Sequence, residues 1–409
     1  MISILLLVGI GVAVFVGFNI GGSSTGVAFG PAVGSRLVSK NGAAALFTLF
    51  ALVGGWTYGR EVVKTMGGDI VPSSQFTLGA SVAVLFFVGL ALLISNLFGV
   101  PASTSMTAVG AIAGMGLASH TLDWGVMGGI VSWWLVAPVV AFWVCAVIGR
   151  YLYPYLDAWF ALDQSDSELL TVDRTGPVPV PRPAPGTTSK EVFWSAVVLA
   201  ISCYMAFSAG ASNVANAVAP LVGGGTVTAD QGVLLAAAAI GLGAFTIARR
   251  TLDTIGNDLT DLPLLASLIV ASVSATIITV LSRLGIPASL AVSATMCIVG
   301  LGWGRATRTT TIADAASAAY RGEESATLTT GALAADSPEA IDADGTPDGG
   351  DVPESDVPRI GDEDPADFTS QELFDPSATG RVVMLWILTP SLSAAASYVL
   401  FSLFPIYGG

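Results

Sequence analysis

The chain has 409 residues, of which 53% are hydrophobic and only 11% are charged, and its mean hydropathy is +0.73. In soluble globular domains about a quarter of the residues are charged, so this composition excludes that class and indicates a polytopic membrane protein. The net charge of −14 is concentrated in one segment, because 17 of the 30 acidic residues fall within residues 306–380.

Apolar windows long enough to cross a hydrocarbon core of about 30 Å follow one another along the chain. The first window is interpreted as a retained span, because no basic region precedes it and no small-residue cleavage site follows it. About ten crossings are predicted, at residues 2–20, 42–59, 78–98, 100–118, 124–148, 192–212, 232–248, 262–283, 286–304 and 381–405.

Two segments between these windows are predicted to lie in water. Residues 151–190 form a linker, and in residues 306–380 Asp and Glu alternate with Gly, Pro and Ser. Such a composition cannot bury enough apolar surface to fold, so an acidic disordered loop is predicted. The predicted domains are therefore a first transmembrane repeat, the linker, four spans of a second repeat, the acidic loop and a last span, at residues 1–150, 151–190, 191–305, 306–380 and 381–409.

Cysteine and histidine usage argues against a disulfide framework or a metal site. Cys145, Cys203 and Cys297 all fall inside predicted spans without CxxC spacing, and we interpret them as packing residues. His120 is the only histidine, which excludes a histidine cage. No cofactor is expected apart from Na⁺ or H⁺ as a coupling ion.

The chain contains an internal repeat. "GGSSTGVAFGPAVG" (residues 21–34) matches "GASNVANAVAPLVG" 189 positions later, and "TYGREVVKTMGGDI" (residues 57–70) matches "TIARRTLDTIGNDL" at the same offset. "GVPASTSMTAVGAIAGMG" (residues 99–116) matches "GIPASLAVSATMCIVGLG" 186 positions later, and Trp134 and Pro138 are echoed by Trp386 and Pro390. Four blocks in the same order indicate a duplicated unit.

The first repeat holds five predicted crossings, an odd number, so the second repeat should begin on the opposite side of the membrane. If the linker is cytoplasmic, 13 of the 16 basic residues lie inside, and only Arg60, Lys64 and Arg283 lie outside. The predicted fold class is an all-α polytopic membrane protein with two inverted-topology repeats of about five transmembrane helices and broken or re-entrant helices. Inverted repeats are typical of alternating-access transporters that bind substrate near the midplane.

Each repeat carries a Gly/Ser/Asn segment that should end its first span and a Pro-Ala-Ser segment that should open its fourth. Helix breaks at membrane depth are tolerated where they face protein or a watery cavity. Half-helix N-termini with Ser, Thr and Asn side chains offer donors to an anion. The alternative is that the small residues only pack helices closely.

These motifs resemble those of the inorganic phosphate transporter (PiT) family. "GASNVANAVAPLVGG" is similar to the family's GANDVANA signature, and "VPASTS" is similar to its P-x-S-T-T-H segment, each expected once per repeat. The resemblance implies sites for phosphate and for a coupling cation, commonly sodium or a proton. The implied substrate-binding residues are Ser23, Ser24, Ser103, Thr104, Ser105, Ser212, Asn213, Asn216 and Ser289.

The chain departs from the family pattern at several positions. Neither signature aspartate is present, Val27, Leu290 and Ala291 replace polar residues, and Met106 and Val292 replace the expected histidines. Without the carboxylates, cation binding must rely on carbonyls, hydroxyls and amides. Phosphate keeps a proton near pH 7 and seeks an acceptor, whereas sulfate needs donors only, so the departure favours sulfate while the family resemblance favours phosphate.

The role of the charged residues at predicted helix ends can be interpreted in two ways. Arg60, Glu61 and Lys64 are equivalent to a stretch holding Arg249, Arg250 and Asp253, and they are either interfacial anchors or an ion-pair gate between the repeats. Asp69 and Asp258 are also equivalent, and either one could be a coupling-ion or gate residue. Trp133, Trp134 and Trp386 are interpreted as interface or packing aromatics.

The leading prediction is a multi-pass protein of the cytoplasmic membrane, not an enzyme, that moves inorganic phosphate by alternating access as a cation symporter. The alternatives are a sulfate or other oxyanion permease, an uncoupled anion channel, and a non-transporting sensor or scaffold. The expected partners are phosphate or sulfate and the lipid bilayer, without nucleic acid. A homodimer is left open. The linker and the acidic loop are predicted to be cytoplasmic.

Overall fold

The computed structural model describes residues 4–97, 103–160, 170–173, 180–183, 189–248, 263–309 and 376–408. The acidic loop lies outside the described residues except at its two ends, and half of the linker also lies outside them. Asp258 and the stretch of Arg249, Arg250 and Asp253 lie outside them as well.

The first repeat is helical. Its helices are α1 (Ile4–Gly34), α2 (Lys40–Thr57), α3 (Gly59–Lys64), α4 (Leu78–Leu97), α5 (Thr104–Ala118), α6 (Trp124–Val147) and α7 (Tyr153–Phe160). A π-helical turn, Thr65–Asp69, follows α3, and a second one, Ile148–Leu152, joins α6 to α7. A short 3-10 turn, Ser73–Gln75, precedes α4.

The second repeat follows a short hairpin in the linker. Strands β1 (Leu170–Asp173) and β2 (Val180–Pro183) pair antiparallel. Apart from this hairpin the elements of the described chain are helical, which confirms the predicted all-α class. The hairpin lies where Thr171, Val172 and Val180 supply β-branched residues outside the apolar windows. The helices that follow are α8 (Ser189–Gly223), α9 (Ala229–Thr246), α10 (Leu264–Arg283), α11 (Leu290–Ala306) and α12 (Pro376–Leu403). A 3-10 turn, Thr307–Thr309, ends α11.

Within the described residues, six helices are long and apolar enough to cross a membrane, and a seventh span forms if α2 is joined to the segment bent 61° away from it. The remaining predicted crossings fall on α4, α5 and α11. The 15 residues of α5 and the 17 of α11 extend about 22 and 25 Å, less than the hydrocarbon core. Their length is typical of re-entrant segments.

The Gly/Ser/Asn segments do not end the first span of each repeat, which corrects the prediction of a helix break there. Helix α1 continues for 31 residues through its motif, and α8 continues for 35. In α1 the hydroxyl of Thr25 donates to the Gly21 carbonyl one turn earlier, which keeps the polar side chain compatible with the helix. The Pro-Ala-Ser segments do open the fourth helices, since Ser103 and Ser289 are the N-caps of α5 and α11.

Glycines at equivalent positions of the two repeats lie where helices cross in close contact. A Cβ at Gly21 of α1 would overlap with the Ile240 carbonyl of α9, and a Cβ at Gly210 of α8 would overlap with the Ala51 carbonyl of α2. Gly210 and Ile240 each lie 189 positions after their counterparts, the offset of the sequence repeat. The same helix pairs also meet at a second equivalent pair of glycines, Gly243 against Phe18 and Gly54 against Phe207.

The closest helix pairs each join one helix of the first repeat to one helix of the second. Helix α1 packs on α9 as α8 packs on α2, and α5 packs on α12 as α11 packs on α6. The turn after the first helix is repeated too, because Arg36 and Gly225 both have a positive φ, 59° and 66°, and Ser39 and Thr228 cap the next helix. Equivalent contacts therefore occur once in each repeat, and the helices of each repeat pack mainly on those of the other.

Alanine, valine and a few large side chains fill the space between these helices. Phe29 and Phe47 are fully buried within the cluster of core residues. Cys145, Cys203 and Cys297 are buried free thiols within it. Close packing of small residues is what allows helix backbones to approach each other in a membrane protein.

Candidate functional site

A small cavity lies where the two repeats meet. Its volume is about 80 Å³, and Ser, Thr and Asn side chains form its polar wall, whereas aliphatic side chains form the rest. The lining residues are Ser23, Ser24 and Val27 of α1, Leu92 of α4, Thr104 and Ser105 of α5, Asn213 of α8, and Ser289, Leu290 and Ala291 at the start of α11. We call it the small cavity.

Six of the nine substrate-binding residues predicted from the sequence line the small cavity. The other three, Ser103, Ser212 and Asn216, are at most 1% exposed and do not line it. Ser103 caps α5, whereas Ser212 and Asn216 hydrogen-bond to the residues around the cavity. The structure thus brings both motifs of both repeats together, although the residues do not contribute equally.

A hydrogen-bond network joins α5, α8 and the segment before α11. The Asn216 amide nitrogen donates to the Ser105 hydroxyl and to Asn213 Oδ1, each at 3.1 Å. The Ser105 and Ser212 hydroxyls are 3.2 Å apart, and Ser212 donates to the Ala288 carbonyl at 2.7 Å. The bonds of Ser105 to Asn216 and Ser212 cross between the repeats and fix Ser105 in the cavity wall. The bond from Asn216 to Asn213 lies within the second repeat and orients the Asn213 amide.

Two helix N-termini open at the small cavity. The Ser103 hydroxyl accepts from the Met106 amide and the Ser289 hydroxyl accepts from the Val292 amide, both at 3.3 Å. The N–H groups of the first residues of a helix have no intrahelical acceptor, and Thr104 of α5 and Leu290 of α11 are such residues. The N-terminal ends also carry the positive ends of the helix dipoles, so both helices present an anion-binding surface.

The small cavity is electrically neutral in its side chains. Among the described residues that line it, none is charged. The hydroxyls of Ser24 and Thr104 make no hydrogen bond to any described residue, whereas Ser23 bonds to the carbonyl of Asn19 or Ile20 at 3.2 Å. Two hydroxyl donors are therefore available to a bound molecule in addition to the backbone N–H groups.

Asn216 also carries a buried acceptor. Its Oδ1 atom has no hydrogen-bond partner among the described residues, although the side chain is only 1% exposed. Leaving a buried acceptor unpaired costs about 1–3 kcal/mol. This oxygen, with Asn213 Oδ1 and the hydroxyls of Ser105 and Ser212, forms a group of neutral oxygens between the repeats.

Asp69 and Arg60, two of the charged residues predicted at a coupling site or gate, lie away from the small cavity. Asp69 lines a separate cavity of about 570 Å³, which we call the open cavity, together with Asp123 and Trp133. Arg60 forms an ion pair with Asp230 at the start of α9 and lies 4.3 Å from the centre of the Trp56 ring. The structure therefore does not bring Asp69 to the small cavity, and Arg60 has a partner that the sequence did not indicate.

Sequence reasoning missed two further contributors. Leu92 of α4 closes one side of the small cavity, and nothing in its apolar surroundings distinguishes it. The indole N–H of Trp134 donates to the Pro287 carbonyl at 2.8 Å, just before the start of α11. The repeat of Trp134 as Trp386 could have indicated a role beyond packing.

Duplicated helical repeats that enclose a neutral cavity at re-entrant helix N-termini are the architecture of a membrane transporter. Residues 20–397 match the sequence model of the Phosphate transporter family (PHO4), and the chain belongs to this family. The resemblance inferred from the two motifs is thereby confirmed, and membership of a transporter family agrees with a protein that is not an enzyme.

Several relatives and one solved structure are similar to the chain. The sulfate permease CysP of Bacillus subtilis is 30% identical and aligns with 71% of this chain and 75% of its own length. Putative phosphate permeases of Haemophilus influenzae and Thermococcus kodakarensis are 25% and 23% identical and align with 86% and 88% of their lengths, and with 71% and 74% of this chain. The structure of a sodium-dependent phosphate transporter superposes with a TM-score of 0.61 at 18% identity, over 98% of this chain and 100% of that one.

Proposed function

We propose that this protein is a secondary transporter that moves inorganic phosphate across the cytoplasmic membrane, with the small cavity as its substrate site. The observation that carries the proposal is the convergence of motif residues from both repeats at two helix N-termini around one cavity. The family match and the phosphate permeases among the relatives support phosphate as the substrate.

The donors of the small cavity suit an oxyanion that has shed its water. A cavity needs about 10–15 Å³ of such volume to hold one water molecule, so the small cavity, with about 80 Å³, has room for a small tetrahedral ion. The N–H groups of the two helix N-termini and the hydroxyls of Ser24 and Thr104 replace the lost hydration. Binding by neutral dipoles avoids burying a fixed positive charge that would hold the ion too tightly for release.

Sulfate is the second candidate, and one observation favours it. A phosphate ion near neutral pH carries at least one proton, which needs an acceptor, but no carboxylate is among the described residues that line the small cavity. Sulfate needs donors only. The sulfate permease of Bacillus subtilis is similar to this chain over most of its length.

We further propose that transport is coupled to a cation and proceeds by alternating access of the two repeats. The described lining has no titratable side chain to carry a proton, which favours Na⁺ over H⁺. The neutral oxygens of Asn216, Asn213, Ser105 and Ser212 are suitable ligands for a hard monovalent cation. The equivalent helix pairs of the two repeats support two alternative states in which the repeats exchange their conformations.

Uptake of radiolabelled phosphate and sulfate into proteoliposomes tests the proposal, with inward Na⁺ and H⁺ gradients imposed separately. We expect Na⁺-stimulated, saturable phosphate uptake. Asn216→Leu should reduce it at least about tenfold, because the variant removes the donor to Ser105 and leaves that hydroxyl misplaced. Ser132→Leu on the exposed face of α6 is the control and should retain uptake.

Each other outcome identifies an alternative. Uptake of sulfate with phosphate excluded would make the protein a sulfate permease. Flux that does not saturate and ignores both cation gradients would indicate a channel. A folded protein that takes up neither ion would be a non-transporting sensor or scaffold.

A further inference from the structure

The open cavity and the small cavity are separated by one short loop. Leu284, Gly285 and Ile286 line the open cavity, and Ser289 lines the small one. From Ile286 to Ser289 the chain can span at most about 10 Å. The residues between them, Pro287 and Ala288, are buried. We call residues 284–289 the 284–289 loop.

Three contacts hold the 284–289 loop, and two of them come from the other repeat. The Trp134 indole of α6 donates to the Pro287 carbonyl at 2.8 Å, and Ser212 donates to the next carbonyl, Ala288, at 2.7 Å. Gly285 has φ +72° and lies so close to Thr65 that a Cβ there would be 2.8 Å from the hydroxyl oxygen. A movement of one repeat against the other must therefore break or strain the contacts of this loop.

The contact from Ser212 also links the loop to the contents of the small cavity. The same hydroxyl is 3.2 Å from the Ser105 hydroxyl, and Ser105 lines the cavity and accepts from Asn216. An ion that binds to the Ser105 hydroxyl changes the hydrogen bond between Ser105 and Ser212. Ser212 in turn donates to the Ala288 carbonyl. The loop is thus connected to the site by two successive hydrogen bonds.

We propose that the 284–289 loop is the gate between the open cavity and the substrate site, and that Trp134 is the residue that holds it closed. This inference rests on the proposed function in taking the small cavity as the substrate site. The open cavity is then the entrance on that side of the membrane. Trp134 is a positioning residue, because it acts on the loop and does not line the small cavity.

Trp386 offers a matched comparison. It stands in the second repeat where Trp134 stands in the first, it is 8% exposed, and its indole nitrogen has no hydrogen-bond partner among the described residues. The same indole N–H is therefore bonded in one repeat and has no described acceptor in the other. Replacing either tryptophan by phenylalanine removes the same atom, but only Trp134→Phe removes a bond to the 284–289 loop.

The test measures access to the small cavity and does not depend on transport. Ala291 lines the cavity, so Ala291→Cys is introduced after Cys145, Cys203 and Cys297 are replaced by alanine. A membrane-impermeant, positively charged methanethiosulfonate is applied to intact cells and to inside-out vesicles. Gly129→Cys, at an uncrowded glycine of the open cavity wall, reports which side that cavity faces.

We expect Trp134→Phe to raise the labelling rate of Ala291→Cys about fivefold or more, since one net hydrogen bond shifts an equilibrium by about that factor. The increase should occur only from the side that labels Gly129→Cys, and Trp386→Phe should leave labelling from that side unchanged. Gly285→Ala, which strains the same loop without touching Trp134, should also raise the rate and serves if Trp134→Phe does not fold. Unchanged labelling in both folded variants, or an equal increase with Trp386→Phe, overturns the proposal, whether or not the protein transports phosphate.

Discussion

At the scale of single residues, the small cavity depends on neutral groups whose positions are set by their neighbours. Asn216 does not line the cavity, yet its amide positions both Ser105 and Asn213. Asn213 stands where the family signature places an aspartate, so its amide fills the place of a carboxylate. If the small cavity is the substrate site, an amide at this position gives the proton of a phosphate ion a weaker acceptor than a carboxylate would.

Asn213→Asp should therefore restore two properties at once. A carboxylate at this position accepts the phosphate proton and attracts Na⁺, and a hydrogen bond to a charged group contributes about 1.5–3 kcal/mol. We expect the ratio of phosphate to sulfate uptake to rise about tenfold and its Na⁺ dependence to steepen. Competitive uptake into proteoliposomes measures both.

Asn213→Leu is the control for that prediction. It removes the amide without adding an acceptor, and it should lower uptake of both ions. An Asn213→Asp protein with an unchanged ratio of phosphate to sulfate uptake would show that the residue does not select the ion.

At the scale of helices, glycines determine how the first helix of each repeat crosses its partner. Gly21 and Gly210 belong to the same motif as the binding residues, so the motif both packs helices and lines the cavity. The two interpretations of this motif, as packing residues and as a binding segment, are therefore compatible. Hydroxyls that bond within the helix, such as Thr25 to Gly21, satisfy the polar side chains of the motif while α1 continues through it.

Gly210→Ala should destabilise the protein. Its Cβ would overlap with the backbone of α2 at Ala51, and overpacking of this kind costs about 1–3 kcal/mol or more. We expect a lower melting temperature and less monodisperse protein, measured by size-exclusion chromatography after heating. Gly11→Ala in α1 is the control, because a Cβ there meets no atom within 4 Å, and it should leave the melting temperature unchanged or raise it. Equal behaviour of the two variants would contradict a packing role for Gly210.

At the scale of the whole molecule, the two repeats share their helix pairs, their crossing glycines and the turn after their first helix. Each repeat packs mainly on the other, so the cavity exists only where both are present. The opposite orientation of the repeats in the membrane is a prediction from the odd number of crossings and from the distribution of Lys and Arg.

Cysteines in the two equivalent turns test this orientation. Gly34→Cys lies at the end of α1 and Thr226→Cys lies in the turn after α8, and a Cβ at Gly34 meets no atom within 4 Å. With the native cysteines replaced, an impermeant maleimide should label Gly34→Cys only in inside-out vesicles and Thr226→Cys only in intact cells. Labelling of both from the same side would rule out an inverted repeat.

The amino-acid sequence by itself determined the class of protein, the duplication, the family and the helix starts at the two Pro-Ala-Ser segments. These features depend on local composition and on spacing along the chain, which hydropathy and repeated motifs report directly. Ser103 and Ser289 could be placed at helix starts because a serine before an apolar run is a local signal.

Only the tertiary structure decided that α1 and α8 continue through their motifs, that α5 and α11 are too short to span, and which polar residues line the cavity. Lining depends on the rotation of each helix about its axis, and that rotation is set by the crossings at Gly21 and Gly210. The bond from Trp134 to Pro287 joins residues 153 positions apart, and no local pattern reports such a contact. The sequence thus named the candidate residues, whereas packing between the repeats decided which of them line the small cavity and which hold the others in place.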